Sequence, residues 1–248
     1  MKLYGLIGYP LTHSFSKKYF TEKFEKENID ARYNLYELEN IDLFPELKNI
    51  PELAGLNVTI PYKEQIIPYL DELDDTAKEI GAVNVIKFIR NSKILKLKGY
   101  NTDVIGFEKS ILPFLQPYHC KALILGTGGV SKAIYFVLQK LGIETTFVSR
   151  RPCKGMLSYE MLDKQTIQEN KLIINATPLG TFPHADECPA IPYPFLTNEH
   201  LLFDVVYNPS ETLFLKKGKL QEAKGVNGEK MLEEQAEAAW EIWNGPEK

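Results

Sequence analysis

The sequence predicts an α/β protein built as two units. Three observations predict it. In the second half of the chain, short apolar runs alternate with helical stretches, as the strands of a parallel sheet covered on both faces do. One of these runs, Ala122–Leu125, leads directly into Gly126-Thr127-Gly128-Gly129 and then a helix over Val130–Leu141. A last helical stretch, Glu229–Trp243, follows the final apolar run and is free to pack back on the first unit.

Each element has a local signal. Leu3–Ile7 is a mostly apolar run ending in the turn residues Gly8-Tyr9-Pro10, so it reads as a buried strand. Ser14–Glu27 predicts a helix, with Phe20 and Phe24 one turn apart. Arg32–Leu38 alternates loosely and reads as the next strand, and Leu53–Ile60 as a strand stopped by Pro61. Val83–Ile89 and Lys93–Leu97 are β-rich runs joined by a hairpin signal, Arg90-Asn91-Ser92. A helix is predicted from Asp103 through Leu112, before Pro113. Thr145–Val148, Leu172–Ile174, Leu202–Val206 and Ala223–Val226 supply the further strands of the second unit. On Glu229–Trp243, Leu232, Gln235, Ala236, Ala239, Trp240 and Trp243 fall on one side. The first unit is therefore drawn as 1–103 completed by 229–248, and the second as 104–228.

Composition narrows the function. The 248 residues are 44% hydrophobic and 25% charged, an ordinary globular balance. A net charge of -4, a pI near 5.7 and the lack of a long Lys/Arg run argue against a nucleic-acid partner. No stretch reaches the roughly 18 consecutive apolar residues of a membrane span. Met1–Gly8 is too short for a signal peptide. Cys120, Cys153 and Cys188 make neither a disulfide framework nor a metal site, and the four scattered histidines give zinc no support. A cytoplasmic protein acting on a small molecule is expected.

Strand, Gly-x-Gly-Gly and helix is the arrangement of a dinucleotide phosphate site. Glycine lets the backbone approach the pyrophosphate, and the helix N-terminus offers free N–H groups. Gly126, Thr127, Gly128, Gly129 and Val130 would form that cradle. By itself the loop also suits a tight strand-to-helix turn in another α/β protein. The next strand ends about twenty residues further on, as a βαβ unit needs. It ends in Ser149-Arg150-Arg151. A carboxylate here would bind the ribose 2′-hydroxyl of NAD and repel a 2′-phosphate. Two guanidiniums attract that phosphate through bidentate hydrogen bonds, which points to NADP.

Polar residues in the first unit mark a candidate site. Ser14 and Ser16 flank Phe15 where the first helix begins; they read as caps, or as hydroxyls that hold a carboxylate beside free helix N–H groups. In Asn57-Val58-Thr59-Ile60-Pro61-Tyr62-Lys63, the residues Asn57, Thr59 and Pro61 share a face, and Lys63 follows the proline turn. Alone, Lys63 reads as a surface lysine, Asn84 as a satisfied buried amide, and Asp103 equally as an N-cap.

Together these pieces resemble the shikimate dehydrogenases over nearly the whole chain. His13-Ser14-Phe15-Ser16 is similar to the family's serine-x-serine motif, and Asn57–Lys63 to Asn-Val-Thr-x-Pro-x-Lys. Gly81–Asn84 is similar to Gly-Ala-x-Asn, Gly99–Asp103 to Gly-x-Asn-Thr-Asp, and Gly126–Ala133 to the glycine loop. Asn175–Gly180, Asp204–Pro209 and the run from Gly228 through Met231 to Gln235 also fit. The sequence departs from the family at Lys17, where Pro is usual, and at Ser149-Arg150-Arg151, where Asn-Arg-Thr is usual. Residues 151–171 match the family helix poorly, and Val205 stands where Met is common.

The resemblance implies reversible NADPH-dependent reduction of 3-dehydroshikimate to shikimate, a step toward aromatic amino acids. It implies an N-terminal α/β substrate-binding domain, a Rossmann-type NADP domain, a cleft between them, and a monomer or homodimer. Lys63 becomes the acid/base, since a donor must protonate the oxygen on which charge develops. Oxidation needs Lys63 neutral and so gains at higher pH. Asp103 becomes its positioning partner. Ser14 and Ser16, with Tyr207, are implied at the substrate carboxylate, and Thr59, Asn84 and Gln235 at the ring hydroxyls. Gln235 also has an argument of its own: an amide on an apolar stripe needs a partner when buried. Thr177, Val205 and Gly228 fall to the cofactor. The competing readings are a quinate-oxidising or NAD-preferring relative, a folate-type dehydrogenase, and a non-catalytic NADP sensor. Paired serines, paired arginines, Gln235 and the presence of Lys63 and Asp103 argue against them.

Overall fold

The computed structural model describes residues 1–11, 14–91 and 94–246. The chain divides into two compact units, Met1–Gly106 with Leu232–Lys248, and Phe107–Met231. In chain order the first carries β1 (Lys2–Gly8), α1 (Phe15–Lys26), β2 (Ala31–Glu37), α2 (Phe44–Leu47), β3 (Leu53–Val58), β4 (Glu72–Leu73), α3 (Asp75–Ile80), β5 (Val85–Asn91), β6 (Ile94–Tyr100) and the start of α4 (Asp103–Ile111). Its sheet has the order β2-β1-β3-β5-β6-β4. β1 lies parallel to β2 and β3, whereas β5 runs antiparallel to both β3 and β6.

The strand period of two sends side chains to opposite faces. Tyr4 and Leu6 of β1 join Phe20, Phe24 and Tyr33 in one core. Ile7 joins Phe44, Leu56, Val58 and Ile86 in the other. α1 starts where the Ser14 hydroxyl accepts from the Lys17 N–H at 3.1 Å, and it buries Phe20 and Phe24. α3 starts on the Asp74 carboxylate and stops at Gly81, whose φ of 69° is left-handed.

The second unit continues α4 and adds β7 (Lys121–Leu125), α5 (Gly129–Lys140), β8 (Glu144–Val148), α6 (Lys164–Glu169), β9 (Leu172–Asn175), β10 (Leu201–Asp204), α7 (Leu213–Lys219) and β11 (Lys224–Val226). Its sheet is wholly parallel, in the order β11-β10-β9-β7-β8. Every residue of β9 and β10 is buried, as a sheet covered on both faces requires.

The C-terminal helix α8 (Glu229–Asn244) returns to the core of the first unit. Ala236, Ala239 and Trp243 bury themselves beside Tyr4 and Phe20. The Trp243 ring lies 4.9 Å from that of Tyr4, and its Nε1–H donates to the Ile86 carbonyl at 3.1 Å. At the rim, Tyr19 of α1 donates to the Glu237 carboxylate, which also accepts from Lys23 at 3.1 Å. Among the described residues, no helix is long and apolar enough to cross a membrane.

Several expectations shift. The strand read as Leu53–Ile60 ends at Val58, because the chain turns back as Tyr62 N–H donates to the Thr59 carbonyl at 2.9 Å. Asn84 precedes β5 instead of lying inside a strand, although its carbonyl still accepts from Val58 at 2.8 Å. Arg90 and Asn91 belong to β5, whose pairing with β6 runs to Asn91↔Ile94, and Ser92, the last residue of the hairpin signal, lies outside the described residues. The strand read as Leu202–Val206 stops at Asp204, whose carboxylate accepts from the Val206 N–H at 3.0 Å and so turns the backbone out of the ladder. Helices α2, α3, α6 and α7, of 4 to 7 residues, are too short to show a full apolar period and had no sequence signal.

Removing the helix anchor should be costly. Trp243→Ala is expected to destabilise the protein by about 3–5 kcal/mol, the range for a large aromatic truncated in a core. Urea unfolding measures it, and a loss under about 1 kcal/mol would show that α8 is not held by this ring.

Candidate functional site

In the first unit the candidate residues converge on Asp103. The Lys63 Nζ lies 2.5 Å from Asp103 Oδ2, and the Asn84 amide donates to Asp103 Oδ1 at 2.9 Å. Lys63 is placed by the turn at Pro61, and its carbonyl accepts from Val83 N–H at 2.7 Å, which ties the turn to the segment before β5. Asp103 opens α4 and is not the cap: the Asn101 side chain accepts from the Asp103 N–H at 3.1 Å, leaving the Asp103 carboxylate for Lys63. The Asn84 carbonyl oxygen accepts from the Thr102 N–H at 2.7 Å. Gln235, from α8, presents Oε1 to the Asn84 amide at 3.5 Å and donates to the Leu232 carbonyl at 3.0 Å. Thr59 follows β3, with its N–H on the Ile7 carbonyl at 2.9 Å.

Ser14 caps α1, as the cap reading expects, and Ser16 is the second residue of that helix. Tyr33, which the sequence did not flag, donates from its hydroxyl to Asn57 Oδ1 at 2.7 Å. His13, in the same motif, lies outside the described residues.

In the second unit the remaining candidates lie at the carboxyl ends of the parallel strands, where ligands of such sheets bind. Gly126 follows β7 with φ of 104°, a backbone that a side chain resists. A Cβ there would stand 3.0 Å from Thr177 Cγ2, so the loop after β7 and the segment after β9 meet. Strand order reverses between β7 and β9, the switch point of this sheet. No side chain caps α5 at Gly128, and Thr127 and Gly128 are exposed, so the first N–H groups of α5 face outward over a twelve-residue helix. This fits a dinucleotide pyrophosphate. After β8, the Ser149 hydroxyl accepts from the Arg151 N–H at 3.2 Å and both Arg150 and Arg151 are exposed, as a clamp for a phosphate must be. Residues 151–171, poorly matched to a helix, are held instead by a bridge between Val148 and Leu157, and only Lys164–Glu169 is α-helical. Val205 and Gly228 meet across the ends of β10 and β11: a Cβ on Gly228 would stand 2.2 Å from the Val205 carbonyl oxygen. Tyr207 is half-buried in this unit.

A buried polar network pins these strand ends. The Asn175 amide donates to Asp204 Oδ1 at 2.9 Å, while its carbonyl oxygen accepts from the Thr177 hydroxyl at 2.6 Å. The Thr212 hydroxyl donates to Asp204 Oδ2 at 2.6 Å. Asn175 and Asp204 sit in motifs that the sequence offered, and the fold gives them this role by bringing them together. Burial pushes the Asp204 carboxyl up to about 6, against the hydrogen bonds from Thr212, Val206 and Asn175.

Residues 6–86 match the model of a family described as the shikimate dehydrogenase substrate binding domain. A shikimate dehydrogenase (NADP(+)) of Methanosphaera stadtmanae is 38% identical over 260 residues, which cover 97% of this chain and 90% of that one. The solved shikimate dehydrogenase of Aquifex aeolicus is similar with a TM-score of 0.87 at 34% identity, covering 100% of this chain and 94% of that one. The shikimate 5-dehydrogenase of Thermus thermophilus, solved with NADP(H) and shikimate, is similar with a TM-score of 0.86 at 28% identity, covering 99% and 94%.

The raised Asp204 carboxyl predicts a pH signature. A carboxyl with a folded pKa above its unfolded value binds more protons when folded. Its stabilising contribution is therefore complete below about 4, the unfolded range, and is lost as pH rises through about 6. Asp204→Asn removes this titration. Relative to the parent, the variant should gain unfolding free energy between about pH 4 and pH 7 and then level off. Urea unfolding at a series of pH values checks this, and a difference independent of pH refutes it.

Proposed function

The chain belongs to the shikimate dehydrogenase family, and on that premise we propose that it reduces 3-dehydroshikimate to shikimate reversibly with NADPH, a step toward aromatic amino acids. The observation that carries the reading is the Lys63–Asp103 contact at 2.5 Å, with Asn84 holding the far side of the carboxylate. The residues at the strand ends of the second unit fit the cofactor: Gly126, Thr127, Gly128, Gly129 and Val130 for the pyrophosphate, Ser149, Arg150 and Arg151 for the 2′-phosphate, and Thr177, Val205 and Gly228 for the remainder. Bound NADPH supplies the hydride.

The other half of the reaction belongs to the chain's own side chains. As negative charge develops on the ketone oxygen, the Lys63 ammonium hydrogen-bonds that oxygen and donates a proton from Nζ. In oxidation, neutral Lys63 takes the proton from the hydroxyl. Asp103 holds Nζ in place throughout, which is a positioning role. Ser14 and Ser16 bind the substrate carboxylate, and Tyr207 stays in this set on the strength of its motif. Thr59, Asn84 and Gln235 orient the ring hydroxyls; the Asn84 and Gln235 amides already share a polar cluster with Asp103. In the same proposal, 1–103 with 229–248 holds the substrate and 104–228 the NADP. The acidic balance favours no nucleic-acid partner, and the three widely spaced cysteines favour the cytoplasm. We take the protein as a monomer or homodimer.

Shikimate with NADP+ should give the absorbance of the reduced nicotinamide, and no signal with either NADP+ or NAD+ would sink the reading. Lys63→Ala should lower kcat by roughly 10²–10⁴ with little change in shikimate KM. Because this leaves Asp103 without its cation, urea unfolding measured alongside separates lost stability from lost chemistry. Near-normal turnover would remove Lys63 from the mechanism. Replacing Arg150 and Arg151 by Gln should weaken NADP+ at least about tenfold more than NAD+. Equal losses would count against the phosphate clamp.

A further inference from the structure

We infer that Asp204 is a positioning residue of the cofactor site: its buried carboxylate fastens the loop after β9 to the loop after β10, so that Thr177 and Val205 meet NADP together. The inference rests on the assignment of Gly126, Thr177, Val205 and Gly228 to the cofactor made above. Asp204 ends β10, Asn175 ends β9 and Thr212 caps α7, and all three are fully buried. Every residue of the network belongs to the second unit.

Two arms leave the carboxylate. On one side Asp204 Oδ1 accepts from the Asn175 amide at 2.9 Å, and Asn175 Oδ1 accepts from the Thr177 N–H at 3.0 Å and from its hydroxyl at 2.6 Å. The same amide donates to the Leu179 carbonyl at 3.3 Å. Thr177 Cγ2 stands where a Cβ on Gly126 would come within 3.0 Å, so this arm ends against the glycine loop. On the other side Asp204 Oδ1 accepts from the Val206 N–H at 3.0 Å, and the Val206 carbonyl accepts from the Gly228 N–H at 3.1 Å. Val205 is thereby held between two fixed residues, with its carbonyl oxygen against Gly228. Oδ2 takes the Thr212 hydroxyl at 2.6 Å, which keeps the carboxylate from turning.

Three donors therefore converge on one buried point. An ionised carboxylate suits it, because it accepts through both oxygens and brings no proton that must find an acceptor. Leucine has similar bulk and no acceptor. It would deprive the Val206 N–H and the Asn175 amide of the bonds Asp204 gives them, and buried donors left unbonded are costly. The two loops would shift to find other partners, and the cofactor contacts would shift with them. The sheet beneath does not depend on this carboxylate: β9 and β10 pair through their backbones, and the Val205 N–H donates to the Asn175 carbonyl at 3.0 Å.

The test is a calorimetric titration of the whole protein with NADP+, which reads Kd and the fraction of competent molecules separately. Asp204→Leu should raise the Kd for NADP+ roughly tenfold, with stoichiometry and shikimate KM within about twofold of the parent. Asp204→Asn keeps an oxygen for Asn175 and Val206 and turns its amide toward the Thr212 oxygen, so its Kd should stay within about twofold. Leu202→Val loosens the packing of β10 and leaves the network intact, and it too should stay within about twofold. An unchanged Kd in Asp204→Leu, with or without a fall in stoichiometry, makes Asp204 a folding residue only and overturns the inference. An equal rise from Asp204→Asn or from Leu202→Val overturns it as well. If the parent does not bind NADP+, the cofactor reading falls and this inference with it. If the parent binds and Asp204→Leu binds equally, the reading stands and the positioning role alone fails. Should Asp204→Leu not fold, Asp204→Ser withdraws the same acceptors while leaving room for water: a raised Kd supports the inference, and a parental Kd overturns it.

Discussion

The Asn84 amide donates to Asp103 Oδ1 at 2.9 Å, and its carbonyl oxygen accepts from the Thr102 N–H at 2.7 Å, so both ends of one buried side chain are committed. Its backbone is committed too, with the N–H on Tyr100 and the carbonyl on Val58. This single residue therefore fixes the turn after β6, the start of α4 and the end of β3 against one another. Leucine at this place would leave Asp103 Oδ1 and the Thr102 N–H without the partners Asn84 gives them. Aspartate would set a second carboxylate beside the first. A buried polar cluster is stable only when nearly every member is satisfied, and that requirement also makes its geometry specific. Lys63 reaches a carboxylate that is already held in place.

The second unit applies the same rule with a different outcome. Asn175 joins the ends of β9 and β10 through Asp204, and Thr212 fills the other carboxylate oxygen. Asp204 has three hydrogen-bond donors and, among the described residues, no ion-pair partner, so burial wins and its carboxyl rises to about 6. Asp103 has a lysine at 2.5 Å. The contrast separates a carboxyl that pins strand ends from one that serves a proton donor. The same network fixes the approach to Thr177 and Val205, because Asn175, two positions before Thr177, and Asp204, next to Val205, are bonded to each other.

How much of this was legible depended on sequence distance. The cradle at Gly126–Val130 was readable because strand, glycines and helix are adjacent in the chain, and their physics is local. Ser14 at the head of α1 was readable for the same reason. Asn84, Asp103 and Gln235 each had a bland reading when taken singly, because their partners lie 19 to 151 positions away. Tyr33 had no signal at all. It looks like any aromatic on a loosely alternating strand until the fold brings Asn57, 24 positions on, to its hydroxyl. Short helices such as α6 were illegible for a different reason: six residues cannot display a period.

The distribution of amides and charges follows from the ligands the chain is built to meet. Asn57, Asn84, Asn101 and Asn175 are all buried, and each both donates and accepts. An amide can satisfy backbone ends in both senses without adding charge. That matters in a protein of net charge -4 whose proposed ligands are anions. A uniform field from that net charge would repel them, so attraction has to be local. It is placed at the uncapped N-terminus of α5, at Arg150 and Arg151, and at Lys63. A carboxylate in place of Asn84 would have stood beside Asp103, and one in place of Asn175 beside Asp204. Neutral polar residues do the structural fastening, and charge is kept for the places where it has a ligand to hold.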